Sequence, residues 1–68
     1  MMRYLAQFRD LDKDYFKTDC AWDEQGRAES YVRRIVGGHS LTPAGQVFDQ
    51  ETRQIIFNYD RYNGEVKK

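Results

Sequence analysis

The chain has 68 residues, which is enough for one domain spanning residues 1–68 and leaves no room for a second. Lys plus Arg and Asp plus Glu both number 11, so the net charge is zero and bulk electrostatic binding to nucleic acid or an anionic membrane is not indicated. The single cysteine excludes an internal disulfide. A chain this short buries only about 60% of its unfolded surface, so good packing or a partner, such as a second copy in a homodimer, must stabilise it.

The composition also predicts where the protein resides. No apolar run approaches the roughly 20 residues that span a bilayer. Residues 1–10 are interrupted by charge and lack the apolar core of a signal peptide. Together with the lone cysteine, these features predict a cytoplasmic protein without a membrane partner. An aromatic content of 15% in so polar a chain indicates that it folds rather than staying disordered.

The N-terminal third predicts a β-hairpin. Residues 2–9 alternate between apolar and polar side chains, residues 10–14 are polar and turn-prone, and residues 15–22 alternate again. The side chains expected on the core face are Tyr4, Ala6, Phe8, Phe16, Thr18, Cys20 and Trp22. We therefore expect two strands joined by a loop of about four or five residues.

Residues 23–38 predict the only helix. Its apolar residues recur at i, i+3, i+4, i+7 and i+8, which places them on one stripe. These residues are Ala28, Tyr31, Val32, Ile35 and Val36. Asp23 is the expected N-cap, and Gly37 and Gly38 are expected to end the helix in a left-handed conformation.

The polar face of this helix carries mixed charge. Glu29 is spaced to pair with Arg33 at i+4, and Glu24 is spaced to pair with Arg27 at i+3. Such pairs are typical of a solvated helix surface. Arg34 has no acid at i−4 or i−3, so Arg33 and Arg34 are also candidates for a cationic contact with an acidic partner.

The C-terminal part predicts a second hairpin. Residues 46–49 form a short strand, 50–52 a turn, 53–62 the longest strand and 65–68 a polar tail. Asp49 is expected to close the turn by accepting a hydrogen bond from the backbone two residues on. Strict alternation predicts Ile55, Phe57 and Tyr59 on one face of this strand and Ile56 and Tyr62 on the other. Both faces of the strand would then carry apolar side chains.

These elements predict an α+β fold of the type ββαββ, with an antiparallel sheet of about four strands and one helix packed on one face. In the alternative, βαββ, residues 15–22 are an irregular excursion rather than a strand. One helix covers only one face of such a sheet, so an apolar patch on the uncovered face is a candidate interaction site.

The only pattern that resembles a metal site lies in the first turn. Asp10, Asp12 and Asp14 match the first three ligands of a calcium loop. Tyr15 then stands where glycine is needed for the bend, and Ala21 stands where a bidentate glutamate is needed. A solvated turn is therefore predicted, with no metal and no other cofactor.

Catalysis is not predicted. Cys20 and His39 are the only residues of their types, and nothing in the sequence brings a base next to the thiol. Cys20 alternates in phase with Phe16 and Trp22, which favours a small core side chain. So short a chain is also expected to struggle to form a pocket of several hundred Å3. We therefore expect no catalytic residue and a protein that is not an enzyme.

Nucleic-acid binding is the alternative function. Tyr59 and Tyr62 are spaced to stack on single-stranded bases while Arg61 neutralises a phosphate. Asp60 and Glu65 interrupt this aromatic and basic run, and the signature motif of RNA-recognition sheets is absent. Nucleic acid is therefore a less favoured partner than protein.

The leading prediction is a small non-enzymatic module that binds a larger protein or protein complex. Aromatic and arginine side chains dominate binding hot spots, and the candidates are Arg33, Arg34, Tyr59, Arg61 and Tyr62. In size and layout the chain resembles the compact accessory proteins of phages and other mobile elements, including several anti-CRISPR inhibitors. The resemblance covers scale and topology only, and it implies an inhibitor or modulator of a larger host complex.

Overall fold

The protein folds as one antiparallel sheet with a helix on one face. The computed structural model describes residues 2–38, 40–62 and 64–67. In chain order the elements are β1 (Tyr4–Arg9), β2 (Lys17–Trp22), α1 (Gln25–Gly38), β3 (Ala44–Asp49), β4 (Gln54–Asp60) and β5 (Gly64–Lys67). The strand order in the sheet is β2-β1-β3-β4-β5. The predicted α+β layout is confirmed, and the βαββ alternative is wrong because residues Lys17–Trp22 form a strand that pairs antiparallel with β1.

The fifth strand corrects the predicted polar tail. Asp60 lies opposite Gly64, and β5 runs antiparallel to β4. Gly64 has a φ of 78°, a left-handed conformation that glycine adopts without steric cost. Gly64 therefore begins β5 directly after the turn that follows β4. Polar composition misled the prediction because edge strands tolerate polar side chains.

The core lies between α1 and the middle of the sheet. Ala6, Val47 and Phe57 lie side by side on β1, β3 and β4, and none of the three is exposed. The helix covers them with its predicted stripe, whose fully buried members are Ala28, Val32 and Val36. The burial of this stripe against the sheet is the main contribution to the stability of the fold.

A glycine sets how closely the helix approaches β3. A Cβ atom at Gly45 would lie 2.7 Å from Cγ1 of Val32 and 3.0 Å from the ring of Phe8. Both distances are shorter than ordinary van der Waals contact, so only glycine fits without a shift of its neighbours. Gly45 therefore allows α1 to pack directly against the sheet.

A β-bulge in β2 changes which side chains face the helix. Ala6 lies opposite Cys20, but Gln7 lies opposite Thr18, so Asp19 is the extra residue. Cys20 and Trp22 pack against the core as predicted. The prediction for Thr18 is wrong, because its hydroxyl accepts a hydrogen bond from Nε2 of Gln7 at 3.0 Å.

A second register shift occurs in β4. Val47 lies opposite Phe57, whereas Phe48 lies opposite Ile55, so Ile56 is the extra residue. Ile56 packs against the core, and Ile55 shares the uncovered face with Phe48. The prediction that Ile55 and Phe57 share a face is therefore wrong, since strict alternation does not survive a bulge.

The two ends of α1 differ from their predicted caps. The helix begins at Gln25, and the carbonyl of Glu24 accepts a hydrogen bond from Ala28 N at 3.3 Å. The N-cap prediction for Asp23 is therefore wrong by one residue. The helix ends at Gly38 as predicted, but neither of its last two glycines has a positive φ. His39, which follows the helix in the sequence, lies outside the described residues.

The sheet face away from α1 is part polar and part apolar. An amide ladder crosses it, in which Nε2 of Gln46 donates to Oε1 of Gln7 at 2.7 Å. Leu5, Phe48 and Ile55 form a half-buried apolar row beside this ladder. Among the side chains that the structure describes, the predicted apolar patch on this face is thus one row wide. Over the described part of the chain, no helix has the length and apolar character that crossing a membrane requires.

Candidate partner-binding surface

A trough runs between α1 and the edge strand β2, and the ring of Tyr31 divides it into two grooves. The first, called here the basic groove, encloses about 500 Å3 and is lined by Trp22, Glu24, Arg27, Ser30, Tyr31 and Arg34. The second, the mixed-charge groove, encloses about 370 Å3 and is lined by Phe8, Asp10, Lys17, Asp19, Tyr31 and Ile35. Both grooves are open to solvent rather than enclosed pockets.

Arg34 is the principal cation of the basic groove. It is exposed, and its guanidinium carbon lies 5.5 Å from the centre of the Tyr31 ring, a cation–π distance. Within residues 2–38, 40–62 and 64–67, no carboxylate forms a salt bridge with Arg34. Its five N–H donors are therefore not engaged by an acidic group of the described chain.

Arg27 adds a second positive charge to the groove. Its Nε lies 3.2 Å from Oε1 of Glu24, so the predicted i, i+3 pair is confirmed. The two side chains are 67% and 66% exposed, and an ion pair of this kind stabilises a helix by only about 0.3–0.5 kcal/mol. Such a weak pair does not prevent Arg27 from contacting a ligand, and with Arg34 it leaves the groove net positive.

Aromatic rings form the floor of the basic groove. The rings of Trp22 and Tyr31 lie 5.6 Å apart at an interplanar angle of 52°. The indole Nε1 of Trp22 is buried and has no acceptor among the residues that the structure describes. Leaving a buried donor unpaired costs about 1–3 kcal/mol. The groove therefore combines an aromatic floor and two cations.

A single hydrogen bond crosses the trough. The hydroxyl of Tyr31 on α1 donates to Oδ2 of Asp19, the bulge residue of β2, at 2.5 Å. This bond, together with burial and the nearby carboxylate charge, raises the pKa of Tyr31 to about 12. The phenol therefore stays protonated at neutral pH and serves as a fixed donor between helix and strand.

The mixed-charge groove has the opposite balance. Oδ1 of Asp10 accepts a hydrogen bond from the hydroxyl of Thr42 at 3.1 Å, and Asp19 is held by Tyr31. Neither of these contacts neutralises a carboxylate. Lys17 is the only cation of this lining and forms no salt bridge with a described residue. Two carboxylates against one ammonium leave this groove net negative.

Arg33 lies on the other side of α1 and is engaged by the fold. Its Nη2 lies 3.6 Å from Oε1 of Glu29, which confirms the predicted i, i+4 pair, and its guanidinium covers the ring of Phe57 at 5.1 Å. The prediction of a solvated face is wrong for Glu29, whose side chain is only 4% exposed. Gln25 Nε2 donates to Oε2 of this carboxylate at 2.8 Å, so the buried charge is both hydrogen-bonded and paired with a cation.

Arg61 closes the end of the helix. Its guanidinium donates to the carbonyl oxygens of Val36 at 3.0 Å, Ser40 at 3.1 Å and Thr42 at 3.3 Å. The last carbonyls of a helix have no partner within the helix, and a cation at that end also interacts favourably with the helix dipole. Arg61 thus supplies the C-terminal cap that was expected from glycine.

The two predicted tyrosines lie in different environments. Tyr59 of β4 lies opposite Gly45 of β3 and is half-buried against the core. Tyr62 follows β4 in a turn and is 79% exposed. The structure therefore does not bring the five predicted residues into one surface. Of the five, Arg34 alone lines the α1–β2 trough. Arg33 lies over β4, which is three strands away from β2 in the sheet, or roughly 14 Å at the usual strand spacing.

Sequence reasoning missed most of the trough. Arg27, Tyr31 and Arg34 recur at i, i+4 and i+7, so a helical stripe of cations around an aromatic residue was present in the sequence. Trp22 joins them only through folding, because β2 and α1 meet side by side. No sequence signal indicates that the indole lies beside that stripe.

The fold and the trough define a small α+β protein with a cleft between its helix and an edge strand. The chain matches no protein-family model, and comparisons with curated proteins and with solved structures also find no match. Within the described residues, no three potential metal ligands lie together.

Proposed function

We propose that this protein is a non-enzymatic module that binds an acidic segment of a larger protein in its basic groove. The observation that carries the proposal is Arg34, an exposed guanidinium above the Tyr31 ring with no carboxylate partner in the described chain. A carboxylate that approaches the groove meets a planar donor fork whose orientation is already favoured by the ring beneath it.

The composition of the groove supports a protein ligand. Trp, Tyr and Arg are the residues that dominate binding hot spots, and Trp22, Tyr31, Arg27 and Arg34 line one groove of about 500 Å3. Two rings provide a large apolar contact with little loss of side-chain entropy, while the arginines give directionality.

The size of the protein supports a larger partner. A standard interface buries about 800 Å2 on each side. The accessible surface of the protein is 4586 Å2, so such an interface would cover roughly a sixth of it. We therefore propose that the protein acts by occupying a surface of its partner, in a cytoplasm, as an inhibitor or modulator of the kind that phages and mobile elements encode.

Nucleic-acid binding through the last predicted strand stays a prediction. The placement of its residues does not favour it, because Arg61 donates to three carbonyls and Tyr59 is half-buried against the core. Of the three, only Tyr62 presents a widely exposed ring.

The experiment that tests the proposal compares capture by matched variants. Immobilised wild-type protein, Arg34→Glu and Arg53→Glu are incubated with lysate of the native host, with and without nuclease, and the recovered proteins are quantified by mass spectrometry. Arg53 is the control because it lies in the turn between β3 and β4, outside the linings of both grooves, and its replacement changes the charge equally.

We expect a nuclease-resistant protein that Arg34→Glu recovers at least tenfold less and Arg53→Glu recovers as well as wild type. Equal recovery by both variants would contradict the assignment to the basic groove. Recovery that disappears with nuclease would move the function to nucleic acid, and recovery of this chain alone would indicate self-association.

A further inference from the structure

We infer that the α1–β2 trough as a whole takes an extended segment that carries an acidic residue and, three or four positions away, a basic residue. The inference rests on the proposed function and specifies the ligand more closely. It is drawn from the opposite charge of the two grooves, which adjoin along one strand and share the ring of Tyr31 as their common wall.

The charge distribution along the trough assigns the acidic and the basic residue of the segment to different grooves. The basic groove holds Arg27 and Arg34 against one glutamate, and the mixed-charge groove holds Asp10 and Asp19 against one lysine. The hydrogen bonds from Thr42 and Tyr31 hold these two carboxylates in place but leave their charges uncompensated. Complementary charges on a ligand would therefore be attracted to different ends of the trough.

The length of β2 sets the spacing of those charges. Trp22 at the end of β2 lines the basic groove, and Lys17 at its start lines the mixed-charge groove. An extended chain advances about 3.3 Å per residue, and the bulge at Asp19 shortens the path between the two ends. The grooves are therefore roughly 10–13 Å apart along the trough, which an extended ligand spans in three or four residues.

The same bulge argues for recognition through side chains rather than through strand addition. An added strand needs a regular row of backbone donors and acceptors on the outer edge of β2. The extra residue at Asp19 interrupts that row, and bulges are one of the features that protect sheet edges from such pairing. The side chains that line the trough therefore select the ligand.

The mixed-charge groove also distinguishes a peptide from a nucleic acid. A phosphate backbone carries negative charge at every nucleotide. A strand that placed one phosphate against Arg34 would place others against the carboxylates of Asp10 and Asp19. A peptide avoids this repulsion because its charges can alternate in sign along the chain.

The test uses short peptides that lack tryptophan, because Trp22 is the only tryptophan of the chain and lies in the trough. One peptide carries Glu and Lys separated by three neutral residues, and a second has the same charges in reverse order. A third replaces Lys with Gln, a fourth replaces Glu with Gln, and a fifth replaces both. Binding at low salt is followed by the fluorescence of Trp22.

We expect one of the two peptides with both charges to bind about fivefold more tightly than the acid-only peptide, which corresponds to one favourable ion pair. The basic-only and neutral peptides should bind most weakly. Asp10→Asn should remove the fivefold preference and keep the binding of the acid-only peptide. Asp14→Asn, in the same loop but outside both groove linings, should leave the preference unchanged.

The outcomes separate the two proposals. Equal binding of the acid-only peptide and both two-charge peptides would overturn the inference and leave the proposed function in place. Failure of every acidic peptide to change the fluorescence up to millimolar concentration would overturn both. Tighter binding of a single-stranded oligonucleotide than of any peptide would also overturn both.

Discussion

The two sides of α1 use the same residue types for different purposes. On the side of β4, Arg33 is paired with the buried Glu29, and beyond the helix end Arg61 donates to three backbone carbonyls. On the side of β2, Arg34 lies over Tyr31 and forms no salt bridge with a described residue. The first side holds the fold together, whereas the second side presents a cation to solvent.

This difference shows that residue type alone does not identify a binding site. Arg33 and Arg34 are adjacent in sequence, but successive residues of an α-helix are rotated by about 100°. That rotation directs one guanidinium over Phe57 and the other over Tyr31. The number of hydrogen-bond donors that the fold leaves unused is a better guide to a binding site. Four predictions test the contrast between the two sides of α1.

The largest effect is expected from the core beneath Arg33. Phe57→Ala removes a ring that is fully buried between α1 and the sheet, and we expect a loss of about 3–5 kcal/mol in the free energy of unfolding. Because so small a domain has little stability to lose, circular dichroism should show that Phe57→Ala is substantially unfolded at room temperature. Ile55→Ala, on the half-buried face, should cost less than half as much. Equal losses would contradict the placement of the core.

The next effect separates the two classes of arginine. Arg61→Ala should lower the free energy of unfolding by about 1–2 kcal/mol, because the carbonyls of Val36, Ser40 and Thr42 lose a charged donor. Arg34→Ala should change it by no more than about 0.5 kcal/mol. Urea unfolding of both variants measures the difference. A large loss for Arg34→Ala would show that this residue supports the fold instead.

A third prediction concerns an ion pair at the end of the sheet. Arg3 binds Asp49 through two hydrogen bonds of 2.9 Å, and this contact, with the backbone N–H of Glu51, lowers the pKa of Asp49 to about 2. An unfolded aspartate has a pKa near 3.8, so the unfolded chain binds more protons in the interval between these values. The stabilisation is complete above about pH 5 and is lost as the pH falls towards 2.

Urea midpoints measured between pH 6 and about pH 2.5 test this linkage. Asp49→Asn should be less stable than wild type at pH 6 and should lose less stability on acidification. Asp14→Asn, an exposed loop aspartate, should follow the wild-type curve. Parallel curves for wild type and Asp49→Asn would show that this pair does not control the acid response.

The smallest effect is expected at high pH in the trough. Tyr31 has a pKa of about 12 because it donates to Asp19, whereas an unfolded tyrosine titrates near 10. The contribution of this group is therefore present below about pH 10 and is lost as the pH rises towards 12. Ultraviolet titration of wild type should show one tyrosine ionising last, and Tyr31→Phe should remove that step. Retention of the step in Tyr31→Phe would contradict the assignment.

Local sequence patterns predicted the parts of the fold that depend on local energetics. The apolar stripe of α1 and its two charge pairs follow from helical spacing alone. The turn after β3 follows from Asp49, whose Oδ1 accepts a hydrogen bond from Glu51 N at 2.9 Å. These predictions are confirmed because each involves residues within four positions of one another.

Features that depend on tertiary contacts were not predicted. The bulges at Asp19 and Ile56 shift the alternation by one residue, and the pairing of whole strands decides where such a shift occurs. The cap from Arg61 and the burial of Glu29 also depend on elements that meet only in the folded chain. The candidate site was predicted only in part, because Arg34 was identified from its spacing and Trp22 was not.

The central claim is that Arg34 is available to a partner while Arg33 and Arg61 are committed to the fold. Nuclear magnetic resonance of the arginine Nε–H groups tests it most directly, during titration with the peptide that carries Glu and Lys. We predict that the signals of Arg34 and Arg27 shift progressively and that those of Arg33 and Arg61 do not move. Shifts at Arg33 and Arg61 with none at Arg34, or no shift at millimolar peptide, would contradict the account.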